Sequence, residues 1–241
     1  PAKGQLFTIS ASGEAVRWQI KESQPVIHHA SRVLKIELSP DENELAAITL
    51  DTNVVVRSLK SGTQPFILPQ TGPVSRASYD PTGNILVAYG LDSIVRVWKR
   101  GTDGRLHRYH DSRYHGAAVR SVAFTPDGKW ALSGGFDARA FFWSTQTGIL
   151  RTNDLQTGVF KHSGGVKTCD FSPDGHHFAT GTRINKGSGK ASLYSTTSRN
   201  RIHSMVHNGP VVKVKFSPDG KLLATASEDG FARVWNVASG S

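Results

Sequence analysis

Apolar residues along this chain gather in short runs, each closed off by residues that turn the backbone. Over 211–235, "VVKVKF" reads as one strand, "SPDGK" as a turn, "LLATAS" as a second strand, "EDG" as a tight turn and "FARVW" as a third. In the first turn Pro218 presets φ, Asp219 bonds its own backbone and Gly220 takes positive φ. Where the chain runs on, a fourth strand follows, as "RIHSMV" does at 201–206 and "QPFIL" at 64–68.

This arrangement recurs. The residue before the turn falls at Leu38, Tyr79, Phe124, Phe171 and Phe216, spaced 41, 45, 47 and 45 residues apart. A second anchor follows roughly nineteen residues later in most copies, at Arg57, Trp98, Trp143, Tyr194 and Trp235, with Trp18 in the same role for an incomplete first copy. A period in the forties with several short strands per copy is the signature of a repeat architecture.

A Gly-His-like entry, an aromatic before S-P-D-G and an Asp six residues ahead of a Trp, in register through five copies, resemble the WD40 family over nearly the whole chain. The resemblance implies an all-β, WD40-type β-propeller with four full blades plus two partial ones. Residues 1–241 then form a single propeller domain or a segment of one, with approximate units 1–28, 29–68, 70–110, 115–160, 162–206 and 207–241. "NVASGS" is too short and polar to supply a last fourth strand, and the first unit lacks its innermost strand. The expectation is therefore an open or truncated ring, cut from a longer parent chain with additional domains. Such repeats are similar to those of large bacterial multi-repeat proteins that carry signalling modules.

The family's hydrogen-bonded tetrad carries over to His115, Ser133, Asp137 and Trp143, and to His207, Thr225, Asp229 and Trp235. Other copies are partial: Asp92 and Trp98 meet Gln70 and Ala88, and His29 and Asp51 meet Ala47 and Arg57. His162 has an insertion, "RINKGSGK", where its Asp should stand. The family's partner-contact positions fall on Arg32, Leu34, Leu50, Leu91, Arg120, Phe136, Lys167, Val212 and Glu228, together with Pro73, Ser75, Ala118 and Pro210. Leu50, Leu91 and Phe136 each precede an Asp in a turn that ordinarily takes polar residues, which marks a sticky patch.

Composition narrows the setting. Of 241 residues, Cys169 is the single cysteine, so no intramolecular disulfide forms and a reducing, cytoplasmic compartment is the simpler expectation. No apolar run approaches the ~18 residues of a membrane span. The net charge of +10 is uneven: residues 1–90 hold 8 Lys/Arg against 8 Asp/Glu, and 91–241 hold 21 against 11. That excess favours an acidic partner.

Catalytic parts are missing from the sequence. His107, His110, Asp111 and His115 in "HRYHDSRYH" form no closed ligand set, so no metal is expected. "GSGK" at 187–190 fails the phosphate-loop pattern, having Ile184 and Ala191 where Gly and Ser/Thr are required. Cys169 lies inside a strand, and Asp170 and Glu37 alone do not make the carboxylate site a channel hydrolase would need. The expectation is a non-catalytic interaction scaffold without cofactor, binding a protein or peptide that is acidic or carries an apolar anchor. A nucleic-acid binder using Arg105, Arg108, Arg113, Lys186, Lys190, Arg199 and Arg201 is the alternative.

Overall fold

The computed structural model describes residues 31–59, 64–150, 158–184 and 187–241 with their side chains, and the backbone of 5–9, 15–19 and 22–27. Every regular element among the described residues is a β-strand, in six sheets whose strands follow chain order. The first holds β1 (Gln5–Ile9), β2 (Ala15–Gln19) and β3 (Glu22–Ile27); the second β4 (Val33–Leu38), β5 (Glu44–Thr49), β6 (Val54–Ser58) and β7 (Phe66–Leu68). The third holds β8 (Val74–Tyr79), β9 (Ile85–Gly90), β10 (Val95–Arg100) and β11 (Leu106–Ser112). In the fourth are β12 (Val119–Phe124), β13 (Trp130–Gly135), β14 (Arg139–Ser144) and β15 (Val159–Lys161), and in the fifth β16 (Gly165–Phe171), β17 (His177–Arg183), β18 (Gly189–Ser195) and β19 (Arg201–His207). The sixth has β20 (Val211–Phe216), β21 (Leu222–Ser227) and β22 (Ala232–Asn236). Four full and two partial antiparallel propeller blades are thus present.

The recurring turn between the first two strands of a blade is built by one hydrogen-bonded pair. Thr125, Ser172 and Ser217 donate their hydroxyls to Asp127, Asp174 and Asp219 at 2.6 Å, and each carboxylate accepts the backbone N–H two residues on. Gly128, Gly175 and Gly220 follow at φ near 70°, where a side chain would be strained. In the copy at 80–83 the partners change places: Asp80 accepts from the Thr82 hydroxyl at 2.5 Å and from Ile85 N–H at 2.7 Å. Either order ties the turn, because the acid and the hydroxyl are complementary.

The chain forms two compact units, Pro1–Asp92 with Arg96–Tyr109, and Ser93–Val95 with His110–Ser241. In the first, Ile48, Val56 and Leu68 pack against Tyr79, Leu86 and Trp98 of the next sheet. The two sheets are also clamped: Arg100 donates to both oxygens of Glu44 at 3.0 and 2.7 Å, and the Tyr79 hydroxyl donates to the same carboxylate at 3.3 Å. In the second, Leu132, Phe142 and Phe160 pack against Val166, Phe178 and Tyr194, the last two rings stacked at 4.9 Å. The following interface joins Leu193 and Met205 to Val214, Phe216 and Leu223. Burying each such side chain stabilises the blade stack by roughly 1.5–3 kcal/mol.

Candidate interaction rim

The strand register makes a rim in each unit from one repeated irregularity. In β4, β8, β12 and β20 the pairing with the next strand slips between the first and third residues, and in β16 between Val166 and Thr168, the second and fourth, leaving one extra residue in each. Those bulged residues are Leu34, Ser75, Arg120, Lys167 and Val212. A bulge takes a residue out of the ladder and re-aims its side chain. Beside it, a second contact recurs in four copies: the N–H of Leu50, Leu91, Phe136 and Glu228 donates to the carbonyl of Arg32, Pro73, Ala118 and Pro210 at 2.8, 3.0, 2.9 and 2.9 Å. The residue before the turn Asp is thereby held next to the start of its own blade's first strand.

In the first unit these positions carry Arg32, Leu34, Leu50 and Leu91, all exposed, the last two at 58% and 60%. In the second unit they are aromatic and charged except for Val212. The Arg120 guanidinium lies 5.0 Å from the centroid of the Phe136 ring, a cation–π contact, and Phe136 is 45% exposed. A Cβ on Gly165 would come 2.8 Å from Phe136 Cδ1, so only a glycine there lets the ring lie against the start of β16. The Lys167 ammonium donates to Glu228 Oε1 at 2.5 Å, which holds the Glu228 carboxyl below its usual range, with Arg183 adding to the effect. Cys169 N–H donates to the Ser121 hydroxyl at 3.0 Å, Val214 N–H to the Thr168 hydroxyl at 3.4 Å, and Phe216 N–H to Asp170 at 2.8 Å. These bonds set β12, β16 and β20 side by side, with Arg120, Lys167 and Val212 at equivalent levels.

Two tetrads lie beneath this unit's rim, and they differ. Trp143 Nε1–H donates to Ser133 Oγ at 3.2 Å, so the Ser133 hydroxyl is left to donate to His115 Nε2 at 2.9 Å. The imidazole proton then sits on Nδ1, facing both Asp137 oxygens at 3.1 Å. In the last blade Trp235 Nε1–H donates to Thr225 Oγ1 at 2.9 Å, but His207 Nδ1 stands 4.0 Å from Asp229. Arg233 takes both partners, lying 2.9 Å from His207 Nδ1 and 2.8 Å from Asp229 Oδ2. A guanidinium only donates, so His207 carries its proton on Nε2, which has no partner among the described residues. The third blade uses the same device more deeply. Arg96 is fully buried, bonds Asp92 and donates to the Thr71 hydroxyl at 3.0 Å, while Trp98 Nε1 and Gln70 Oε1 have no partner among the described residues. Asp51 is held locally, accepting from Thr49 and Asn53 side chains at 2.5 and 3.0 Å. The Trp18 side chain, His29 and Lys186 lie outside the described residues.

The remaining candidates are tied up. His107 faces both Asp103 oxygens at 2.9 Å, His110 Nε2 is 3.3 Å from the Thr145 carbonyl, and no group of three or more metal-ligating side chains forms among the described residues. Cys169 is buried and its thiol is pushed up to about 12 by burial, which suits packing. Lys215 pairs with Asp170 at 3.0 Å. Of the basic residues, Arg108 stacks on Trp98, Arg113 pairs with Asp111, and Arg199 is buried. Reading the sequence missed Gly165, Arg183, Arg96 and Arg233. The last two had a visible signal, since both stand four residues after an Asp and two before a Trp.

Blades of this kind define a β-propeller repeat protein whose bulged first strands project side chains. The family model for the WD domain, G-beta repeat, matches residues 62–99, 108–144, 155–194 and 199–236, so the chain belongs to the WD40 family. It is 24% identical to pre-mRNA-processing factor 19 of Oryza sativa subsp. japonica, over 98% of this chain and 44% of that protein. It is 26% identical to a guanine nucleotide-binding protein subunit beta of Arabidopsis thaliana, over 100% of this chain and 67% of the relative. Transducin beta-like protein 3 of Rattus norvegicus is 26% identical over 95% and 28% of the two chains. The chain thus spans between about a quarter and two thirds of these curated relatives. No helix among the described residues is long and apolar enough to cross a membrane.

Proposed function

We propose that this chain is a non-catalytic protein-interaction module of a larger regulatory protein, and that its partner is held by the bulge positions and the residues before the turn Asp. Membership of the WD40 family supports the scaffold role. The observation that carries the site assignment is the repeated bulge: five first strands leave their ladder at the same position and turn one side chain each out of it. Leu34, Leu50 and Leu91 with Arg32 offer apolar anchoring in the first unit, and Arg120, Phe136, Lys167, Val212 and Glu228 offer an aromatic and charged surface in the second. The basic excess of 91–241 suits an acidic protein or peptide. Phe136→Ala and Arg120→Ala, with unchanged circular dichroism and thermal midpoint, are expected to lose the partner that the full-length parent captures. Ile149→Ala, exposed in a turn away from these positions, keeps it. Retention of the partner by all three variants overturns the assignment.

A further inference from the structure

We propose that Glu228 is a built-in occupant of an anion subsite formed by Lys167 with Arg183 beside it, and that an aspartate or glutamate of the partner peptide takes its place. This rests on the interaction-rim reading and gives that partner a chemistry: an extended peptide with a carboxylate close in sequence to an apolar side chain.

The two members of the Lys167–Glu228 pair are unequally placed. The Lys167 side chain is 17% exposed and rises from the bulge of β16, whereas Glu228 is 47% exposed and sits on the turn after β21. Withdrawing Glu228 into water costs little, because an exposed carboxylate regains its hydration. Leaving the shielded Lys167 ammonium without an anion costs more. Only another anion therefore exchanges with Glu228 on near-equal terms, and a neutral side chain is rejected by the charge it would leave unpaired. Arg120 has no carboxylate partner among the described residues. It lies on the neighbouring first strand, which the Ser121–Cys169 bond fixes against β16, and its guanidinium rests on Phe136 with N–H groups left for a carboxylate. Arg183, which already acts on Glu228, adds to the positive field. Phe136, seated against Gly165, supplies an exposed apolar floor for the neighbouring side chain.

The test is an array of short Gly/Ser peptides bearing one Asp or Glu and one Leu or Phe at varied spacing, each matched by its Asn or Gln counterpart, with affinities measured by fluorescence anisotropy. Acidic peptides are expected to bind at least about fivefold more tightly than their amide counterparts, the scale of one partly shielded ion pair. Glu228→Gln, an exposed turn substitution, should raise affinity for the acidic peptides severalfold and so widen their margin over the amide peptides. Lys167→Gln should abolish the preference. Weaker or unchanged acidic-peptide binding by Glu228→Gln overturns the inference, since a merely structural ion pair gives no gain on its removal. Equal binding of acidic and amide peptides that is lost in Phe136→Ala also overturns it while leaving the rim assignment standing. Absence of binding by any peptide overturns it too, and the rim assignment is then decided by partner capture with Phe136→Ala.

Discussion

At the scale of single residues, the blades differ in how they satisfy the tryptophan of the third strand. Trp143 and Trp235 donate to hydroxyls of Ser133 and Thr225, whereas the third blade has Ala88 at that position and leaves Trp98 Nε1 buried without a partner among the described residues. Ser133→Ala should therefore cost about 2 kcal/mol, because it strands both Trp143 Nε1 and His115 Nε2 without partners. A lowered urea midpoint at unchanged slope would register it. Ala88→Ser is expected to act oppositely, gaining about 1 kcal/mol by giving Trp98 an acceptor. The same measurement reads that gain, and a loss of stability would show that the hydroxyl does not fit beside Arg96. The members of both tetrads were legible in the sequence as residue types at fixed offsets. The rerouting of His207 and Asp229 through Arg233 was not, because it depends on where a long side chain reaches.

At the scale of elements, the bulge and the glycine that closes the second strand form one device. A Cβ on Gly90 would stand 2.3 Å from the Pro73 carbonyl and 2.8 Å from Ser75 N, both of them backbone and unable to yield. Gly90→Ala should thus push β8 away from β9 and cost on the order of 2–3 kcal/mol, seen as a lowered thermal midpoint. Gly165→Ala meets a side chain instead. Phe136 can rotate away, so stability should fall less, while peptide binding falls as in Phe136→Ala. A variant that binds peptides normally would show that the seating of Phe136 does not matter. The strands and turns themselves were readable, since Ser/Thr–Pro–Asp–Gly ties its own backbone wherever it occurs. The bulges had no composition of their own, for Leu, Ser, Arg, Lys and Val all occupy them.

At the scale of the molecule, acid should act on the two units in different pH ranges. In the second unit burial depresses the pKa of His110, His115, His162 and His207 below 6.5, His162 to about 4. A histidine that binds its proton more weakly when folded contributes stability in full above pH 6.5 and loses it as pH falls through the folded value. His162 alone then removes roughly 3 kcal/mol between those limits. In the first unit Asp41 is lowered to about 2 by its bonds from Ser39 and Asn43, so its contribution is present above about pH 4 and lost below. Hydrogen exchange, corrected for the intrinsic rate, should show loss of protection in the second unit between pH 6.5 and 4 while the first keeps its own. Equal loss in both units across that range would contradict this assignment.

The repeat, its strands and its turns were determined by the sequence alone, because strand runs and turn residues act through neighbours in the chain; the WD40 family and the residue types of the tetrads were readable only as a pattern recurring at fixed offsets. Tertiary structure decided which side chains leave the ladder, that Phe136 rests on Gly165 under Arg120, and that Lys167 is matched by an acid from another blade. Those contacts join residues tens of positions apart. Distance along the chain says nothing about them until the blades are packed.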